Sequence, residues 1–381
     1  MDKTYKVFWL AGESSGDLHA SLVMRELNRS VQNIRHIGIG GTLMQREGLK
    51  ALFPFDRFAI MGFVEVVKHL FFFIGVERTI KRTLAKERPD LAILVDYPGL
   101  NLRIARIADD LRVPVLYFIS PQFWAWKRKR VYKLKENVRH VACILPFEKE
   151  LLDIYNVTST YVGHPIAEEI EYELDRLSFA KFFGLDPDKE WIGFMPGSRE
   201  AEVERLLPGF LETAAELHQQ GYQIMLSKAR SISPHVFSDL VDRYKKCEIK
   251  IVDGYRYEMM KYAKLLVACS GTVTLEAAFI GTPVIICYKA SPLSYLIARH
   301  FVRIKRIGLP NIILEEDLLP ELVQDDVNSS RIVSAARRIL DDHAYYTELR
   351  ARLLKLRGML EGKRCSVEMV KLIRRMLSID V

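Results

Sequence analysis

Short, unbroken apolar runs rich in β-branched and aromatic residues recur along this whole chain, each followed by a longer stretch with helical spacing. In the first half the runs are Tyr5–Leu10, Ile37–Gly40, Leu91–Val95, Val113–Ile119 and Val138–Leu145. In the second half they are Trp191–Met195, Tyr222–Leu226, Ile249–Val252, Leu265–Cys269 and Val284–Cys287. A run that is apolar at every position needs cover on both faces, which a parallel sheet between two helical layers provides. The pattern therefore predicts an α/β protein with one doubly wound domain in each half. A hydrophobic share of 49% against 27% charged residues excludes disorder as the dominant state. No fixed-period repeat occurs, so collagen-like and coiled-coil classes fall as well.

A length of 381 residues fits two domains at roughly 150 residues each. The charged stretch from Glu168 to Asp188 places the join between about Pro165 and Glu190. From Ser329 to Val381 there is no strand signal, so that tail reads as consecutive helices. The expected division is 1–165, 166–345 and 346–381, the last helices packing back on the N-terminal domain. Ligands of such folds lie outside the carboxyl ends of the strands, so the strand-to-helix turns are the places to look for chemistry.

Five cysteines at long, irregular spacings read as reduced cytosolic thiols rather than a disulfide frame or a zinc site. The apolar start Val7–Ala11 is too short for a signal-peptide core. Lys and Arg exceed Asp and Glu by 56 to 48, a balance that suits phosphates, nucleic acid or anionic lipid without choosing among them.

Three turns could hold an anion. The first strand runs into Gly12-Glu13-Ser14-Ser15-Gly16-Asp17, where glycines permit close backbone approach and the following helix N-terminus favours negative charge. Ser14 and Asp17 also have capping-box spacing. Gly197-Ser198-Arg199 follows the first strand of the second half and adds a guanidinium fork suited to phosphate oxygens, unless Arg199 only pairs with Glu202 or Glu204. In Ser270-Gly271-Thr272-Val273-Thr274-Leu275-Glu276 the first three residues can donate to a phosphate, and Glu276 could accept both hydroxyls of a ribose. Two such turns in one half argue for a nucleoside diphosphate there. No Walker A, HExxH or DxD-type acid pair accompanies them, so a mechanism without metal or cofactor is expected.

Taken in order, GESSGD from Gly12, Asp96-Tyr97-Pro98-Gly99-Leu100-Asn101, SPQFWAW from Ser120, Leu145-Pro146-Phe147-Glu148, Gly163-His164-Pro165, Pro196-Gly197-Ser198-Arg199, SGTVTLE from Ser270 and Leu309-Pro310-Asn311 resemble the lipid-A-disaccharide synthase family. The resemblance implies a GT-B fold: two doubly wound Rossmann-like domains facing a central cleft, with a helical C-terminal tail. It also implies an inverting transfer of 2,3-diacylglucosamine from its UDP donor to the 6-hydroxyl of 2,3-diacylglucosamine 1-phosphate, at the cytoplasmic face of the bacterial inner membrane. The partners it implies are the UDP-sugar, the acylated sugar phosphate and a lipid surface, with no nucleic acid. A homo-oligomer is left open. Gly99 stands where the family commonly shows a second acid.

For that reaction Asp96 is the first choice of base, because it ends an apolar strand at its carboxyl edge. Glu13 is second and Asp17 third. Arg199 would hold the diphosphate with Gly197, Ser198, Ser270, Gly271, Thr272 and Thr274. Glu276 would take the ribose, with Asn311 nearby. Ser14, Gly16 and Asp17 would line the acceptor side. The apolar stretch Phe58–Val76 is too short and too charged to span a bilayer, and beside Arg78, Lys81, Arg82, Lys86 and Arg88 it fits interfacial docking through Phe63, Leu70, Phe71, Phe72 and Phe73. Two other readings are open: another enzyme of the same fold, such as a UDP-N-acetylglucosamine 2-epimerase or a soluble glycosyltransferase, and an anionic-polymer binder using Lys127–Arg130 next to Trp124 and Trp126.

Overall fold

The computed structural model describes residues 3–55, 58, 70–124, 128–229, 231–291, 295 and 306–379, without the side chains of Leu70 and Phe71. The chain divides into two units, residues 1–168 with 361–381 and residues 169–360.

The first unit is a parallel sheet of β1 Tyr5–Ala11, β2 Ile34–Ile39, β3 Lys50–Ala51, β4 Leu91–Val95, β5 Val115–Phe118, β6 His140–Cys143 and β7 Ser159–Tyr161. Its order is β3-β2-β1-β4-β5-β6-β7. Every residue of β4 is buried, as a strand covered on both faces requires. The order reverses between β1 and β4, and the register pairs Ala11 with Val95 at their carboxyl ends. Gly12-Glu13 and Asp96-Tyr97 therefore leave the sheet side by side, at the point where folds of this kind bind ligands. Helix Ser14–Ser30 buries Ala20, Val23, Met24 and Leu27. The last helix, Cys365–Met376, packs on it. Beneath them Trp9 Nε1 donates to His36 Nδ1 at 2.9 Å, and His36 Nε2 then donates to Asn28 Oδ1 at 2.9 Å. Both ring nitrogens are used by the neutral imidazole, and burial lowers the His36 pKa to about 4.

The second unit is a parallel sheet of β8 Trp191–Met195, β9 Gln223–Lys228, β10 Lys250–Asp253, β11 Leu265–Cys269, β12 Val284–Tyr288 and β13 Glu321–Val323. Its order, β10-β9-β8-β11-β12-β13, reverses between β8 and β11. The charged lead-in becomes helix Arg176–Phe183, N-capped by Asp175, whose carboxylate accepts the Ser178 N–H at 2.8 Å. That helix belongs to this unit. Phe179 packs against Trp191, and the Arg176 guanidinium lies 3.9 Å above the indole. Helix His343–Leu360 packs on helix Thr272–Ile280, and Arg350 Nε donates to the Gly281 carbonyl at 3.0 Å. The boundary expected at 346 thus falls inside a helix of the second unit, and the chain rejoins the first unit only at 361.

The strands read as apolar runs are all present. β3, β7 and β13 were not anticipated; each has two or three residues and lies at a sheet edge, where one side needs no apolar cover. The stretch expected to face lipid is corrected in part. Phe58 and Phe73 are 1% and 4% exposed and belong to the core of the first unit. Half-buried Phe72 packs edge-on against Phe53, Phe58 and Phe73. Helix Leu70–Glu87 sends Phe73, Val76, Ile80 and Leu84 inward at helical spacing. The strands alone do not fill this core. Phe63 and the side chains of Leu70 and Phe71 lie outside the described residues.

Candidate active site

At the β1/β4 switch point the backbone is unusual. Asp96 and Tyr97 both sit in the left-handed region, with φ of 44° and 47°. Two consecutive non-glycine residues there cost of order 1–3 kcal/mol each and persist only under external restraint. The Asp96 carbonyl accepts from Tyr117 Oη at 2.7 Å and from Asn101 Nδ2 at 2.7 Å. Asn101 is fully buried, and its amide also donates to the Val95 carbonyl at 3.0 Å. Gly12 must be glycine, because a Cβ there would lie 2.6 Å from the Tyr97 ring. These contacts fix the backbone of Asp96 at the carboxyl end of β4.

Its electrostatics follow from burial. Desolvation, with Glu13 as a like-charged neighbour, raises the Asp96 pKa to about 7, against the opposing pull of His19, the Tyr97 N–H and Arg130. Gly99, one residue into helix Pro98–Asp110, is exposed. The second carboxylate beside Asp96 comes from Glu13 at the end of the other strand. A third, Glu148, is 1% exposed. It accepts from Trp124 Nε1 at 3.2 Å and from the Leu145 N–H at 3.3 Å, and burial raises its pKa to about 7. Nearby His164 is held neutral, burial lowering its pKa to about 3.

Asp17 is removed from the acceptor list. It is 5% exposed, and its carboxylate accepts the N–H groups of Gly41 at 2.7 Å, Leu43 at 3.1 Å and Met44 at 3.1 Å. It caps helix Thr42–Arg46 rather than its own helix. Gly16, the third residue of its helix, is buried, and a Cβ there would only touch the Ala11 Cβ and Val95 at ordinary contact distance. Ser14 opens that helix and is exposed.

In the second unit the two anticipated turns meet at the β8/β11 switch point. Gly197 has φ of 122°, and a Cβ there would strike Glu202. Arg199 is the N-cap of helix Glu200–Gln219. Its Nη1 donates to Glu202 Oε1 at 2.9 Å, with about half of the arginine side chain exposed. Both Arg199 and Glu202 act on the Cys269 thiol at the end of β11, so the turns are neighbours. Ser198 is exposed and its carbonyl accepts from Ser231 Oγ at 2.6 Å. Gly271 and Thr272 are exposed at the start of helix Thr272–Ile280. Ser270 Oγ donates to the Ile307 carbonyl at 3.0 Å.

Two residues anticipated here are structural. Thr274 is fully buried and donates to the Gly271 carbonyl at 2.8 Å. Asn311, 1% exposed, donates to the Leu319 carbonyl and to Glu321 Oε1, both at 2.8 Å, and accepts the Leu319 N–H at 2.9 Å. Glu321 in turn accepts the N–H groups of Ile307 and Gly308, so Asn311 supports the segment that Ser270 touches. Glu276 is buried, with Arg256 Nη2 at 3.0 Å and Tyr257 Oη at 3.4 Å from its Oε1.

The sequence reading missed Asn101 as a restraint, Arg130 as a neighbour of Asp96, Glu148, and the Arg256–Tyr257 pair. Arg130 was hidden in a basic run that reads as a solvated face. The others carry no spacing signal, because their roles depend on which strand ends become neighbours.

A family model described as Lipid-A-disaccharide synthetase matches residues 7–370. A lipid-A-disaccharide synthase of Trichlorobacter lovleyi is 38% identical over 98% of this chain and 97% of its own length. Another, from Geobacter sulfurreducens, is 35% identical over 99% of each. Among solved structures, a UDP-GlcNAc 2-epimerase of Neisseria meningitidis bound to UDP-GlcNAc superimposes with a TM-score of 0.67 at 11% identity, covering 98% of this chain and 100% of that one. A putative UDP-N-acetylglucosamine 2-epimerase of Listeria monocytogenes gives 0.65 at 12% identity, covering 100% and 98%. At such identities the likeness is one of fold.

Proposed function

Because the chain belongs to the lipid-A-disaccharide synthetase family, we propose that Asp96 and Arg199 carry the glycosyl transfer of that family. The protein is a hexosyltransferase of GT-B architecture. It moves 2,3-diacylglucosamine from UDP-2,3-diacylglucosamine to the 6-hydroxyl of 2,3-diacylglucosamine 1-phosphate, giving the disaccharide 1-phosphate and UDP. Epimerase-like structures do not argue for epimerisation, since they share the fold alone.

The observation that carries the mechanism is the placement of Glu13 beside Asp96 at the β1/β4 switch point. A base works best with a pKa near the working pH, and a carboxylate held at about 7 meets that condition. Asp96 takes the proton of the acceptor 6-hydroxyl as that oxygen attacks the donor's anomeric carbon. The bond from that carbon to the diphosphate oxygen breaks, and its electron pair leaves with UDP. Arg199, with the turns at Gly197-Ser198 and Ser270-Gly271-Thr272, stabilises the charge that develops on the diphosphate. The Arg199–Glu202 pair does not oppose this, because an exposed ion pair is worth only about 0–1 kcal/mol and a diphosphate offers the fork two oxygens. Arg256 and Tyr257 orient Glu276 for the ribose hydroxyls.

No helix among the described residues is long and apolar enough to cross a membrane. Contact with the cytoplasmic face of the inner membrane is supported by the exposed cations Arg78, Lys81, Arg82, Lys86 and Arg88 on and just after helix Leu70–Glu87. Lipid insertion then falls to Phe63, Leu70 and Phe71.

The test is the pH dependence of kcat/KM. An acid limb near pH 7 is expected for Asp96. Glu13→Gln removes the like charge and should move that limb to lower pH. A limb unmoved by Glu13→Gln contradicts the pairing.

A further inference from the structure

The second unit holds a cavity of about 240 Å³ at the amino end of its sheet, the edge opposite the turns at Gly197 and Ser270. Trp191 starts β8, Lys264 directly precedes β11 and Thr282 lies just before β12, and all three line the cavity. A five-residue strand such as β8 or β11 separates the two edges by about 15 Å at the usual rise. The lining charge is one-sided: Arg176, Lys261, Lys264 and Arg350 share it with a single acid, Glu190. Part of that charge has a structural reason, because helices end at this edge and their last carbonyls attract cations. Arg176 Nη1 donates to the Tyr262 carbonyl at 3.1 Å, where helix Arg256–Tyr262 ends, and its Nη2 donates to the carbonyls of Pro187 and Lys189. Arg350 Nε donates to the carbonyl of Gly281, the C-cap of helix Thr272–Ile280. Lys264 pairs with Glu190 at 2.7 Å. The rest of the charge is unused. The Lys261 ammonium lies 3.8 Å from the Tyr172 ring and 5.5 Å from the Tyr262 ring, and among the described residues it has neither a hydrogen bond nor an acid partner. The Nη groups of Arg350 likewise have no acceptor among the described residues.

Two cations with idle donors in one recess, and two more that add their field, fit an anion; its binding relieves their mutual repulsion. The volume is below the roughly 300–1,000 Å³ of pockets for drug-sized ligands, so the occupant is compact. A guanidinium edge takes two phosphate oxygens and an ammonium serves as a point charge beside it. We propose that this cavity binds a compact phosphate-bearing anion through Lys261 and the Nη edge of Arg350, with Arg176 and Lys264 supplying field. The site lies apart from the residues assigned to the glycosyl transfer and does not rest on that reading.

The test is calorimetric titration of inorganic diphosphate into the full chain saturated with UDP, at constant ionic strength, with inorganic phosphate and glycerol 3-phosphate as further probes. UDP occupies the turns at Gly197 and Ser270, so heat that survives it comes from elsewhere. Saturable binding is expected, weakened about 10–100-fold in Lys261→Gln and in Arg350→Gln, the loss of one charge-assisted contact each. Lys261→Gln is the cleaner variant, because that ammonium holds no helix end. Glycerol 3-phosphate binding as tightly as inorganic phosphate assigns the site to phosphate esters, and weaker binding assigns it to the free anion. No saturable heat, or equal affinity in the wild type, Lys261→Gln and Arg350→Gln, would overturn the proposal and leave the cations as counter-charges for the helix ends. Binding lost in Arg199→Lys but kept in Lys261→Gln would also overturn it, placing the diphosphate at the turns. A chain that makes no disaccharide yet shows Lys261-dependent binding would count against the proposed function and leave the site standing.

Discussion

Replacing Asp96 by Asn should cut catalysis sharply and strengthen the fold, and the second effect should depend on pH. The folded Asp96 has its pKa raised from 3.8 to about 7, first by burial and then by Glu13. Below about pH 4 the carboxyl is neutral in both folded and unfolded chains, so Asp and Asn differ little. Between about 4 and 7 the unfolded chain ionises while the folded chain holds its proton, and wild-type stability falls by this contribution as pH rises. Above about 7 both states are ionised and the penalty is complete. Roughly three pH units at about 1.4 kcal/mol each bound it at about 4 kcal/mol. Asn has no charge to desolvate and escapes it. Urea unfolding at pH 4 and pH 8 should therefore show near-equal stabilities at pH 4 and a gain of about 1–4 kcal/mol for Asp96→Asn at pH 8. Turnover should fall about 10²–10⁴-fold, the usual span for a lost general base. A gain independent of pH, or turnover within a few-fold of wild type, would refute the reasoning that makes Asp96 a strained, half-ionised base.

Arg199→Lys keeps the charge but loses the fork, so UDP affinity by calorimetry and turnover should both drop sharply; unchanged values for both would make it a surface partner of Glu202. Glu276→Gln should raise the donor KM more than the acceptor KM in steady-state kinetics. Phe73→Ala removes a core ring and should cost about 3–5 kcal/mol in denaturant unfolding, whereas Phe63→Ser and Phe71→Ser should shift protein from membrane to soluble fraction with UDP binding intact. Asp17→Ala strands three N–H groups and should cost about 1–3 kcal/mol, with a far smaller loss of kcat than Asp96→Asn.

Much of the architecture was legible because a parallel strand under two helical layers is apolar at every position, as in Leu91–Val95 and Leu265–Cys269. Edge strands such as Lys50–Ala51 lack that constraint and were silent. The strand-to-helix turns themselves were legible because a strand followed by Gly and a helix start has few alternatives. Which turns become neighbours was not, since it depends on strand order; Glu13 and Asp96 are far apart in the chain and meet only because β1 pairs β4. Polar residues were misjudged where their partners come from remote segments. Asp17 caps a helix that starts at Thr42, and Asn311 bonds around the chain at Leu319 and Glu321. The Phe72–Phe73 pair was read as lipid-facing because an apolar helix looks the same in sequence whether a core or a bilayer covers it.

Product analysis tests the central claim most directly. The purified enzyme is given UDP-2,3-diacylglucosamine and 2,3-diacylglucosamine 1-phosphate, and the products are resolved by mass spectrometry with NMR of the new glycosidic bond. The expected result is UDP and a tetraacyl disaccharide 1-phosphate, β-linked from C1′ to O6, formed by wild type and nearly abolished in Asp96→Asn. Donor hydrolysis or epimerisation with no disaccharide, or an α linkage, would contradict it.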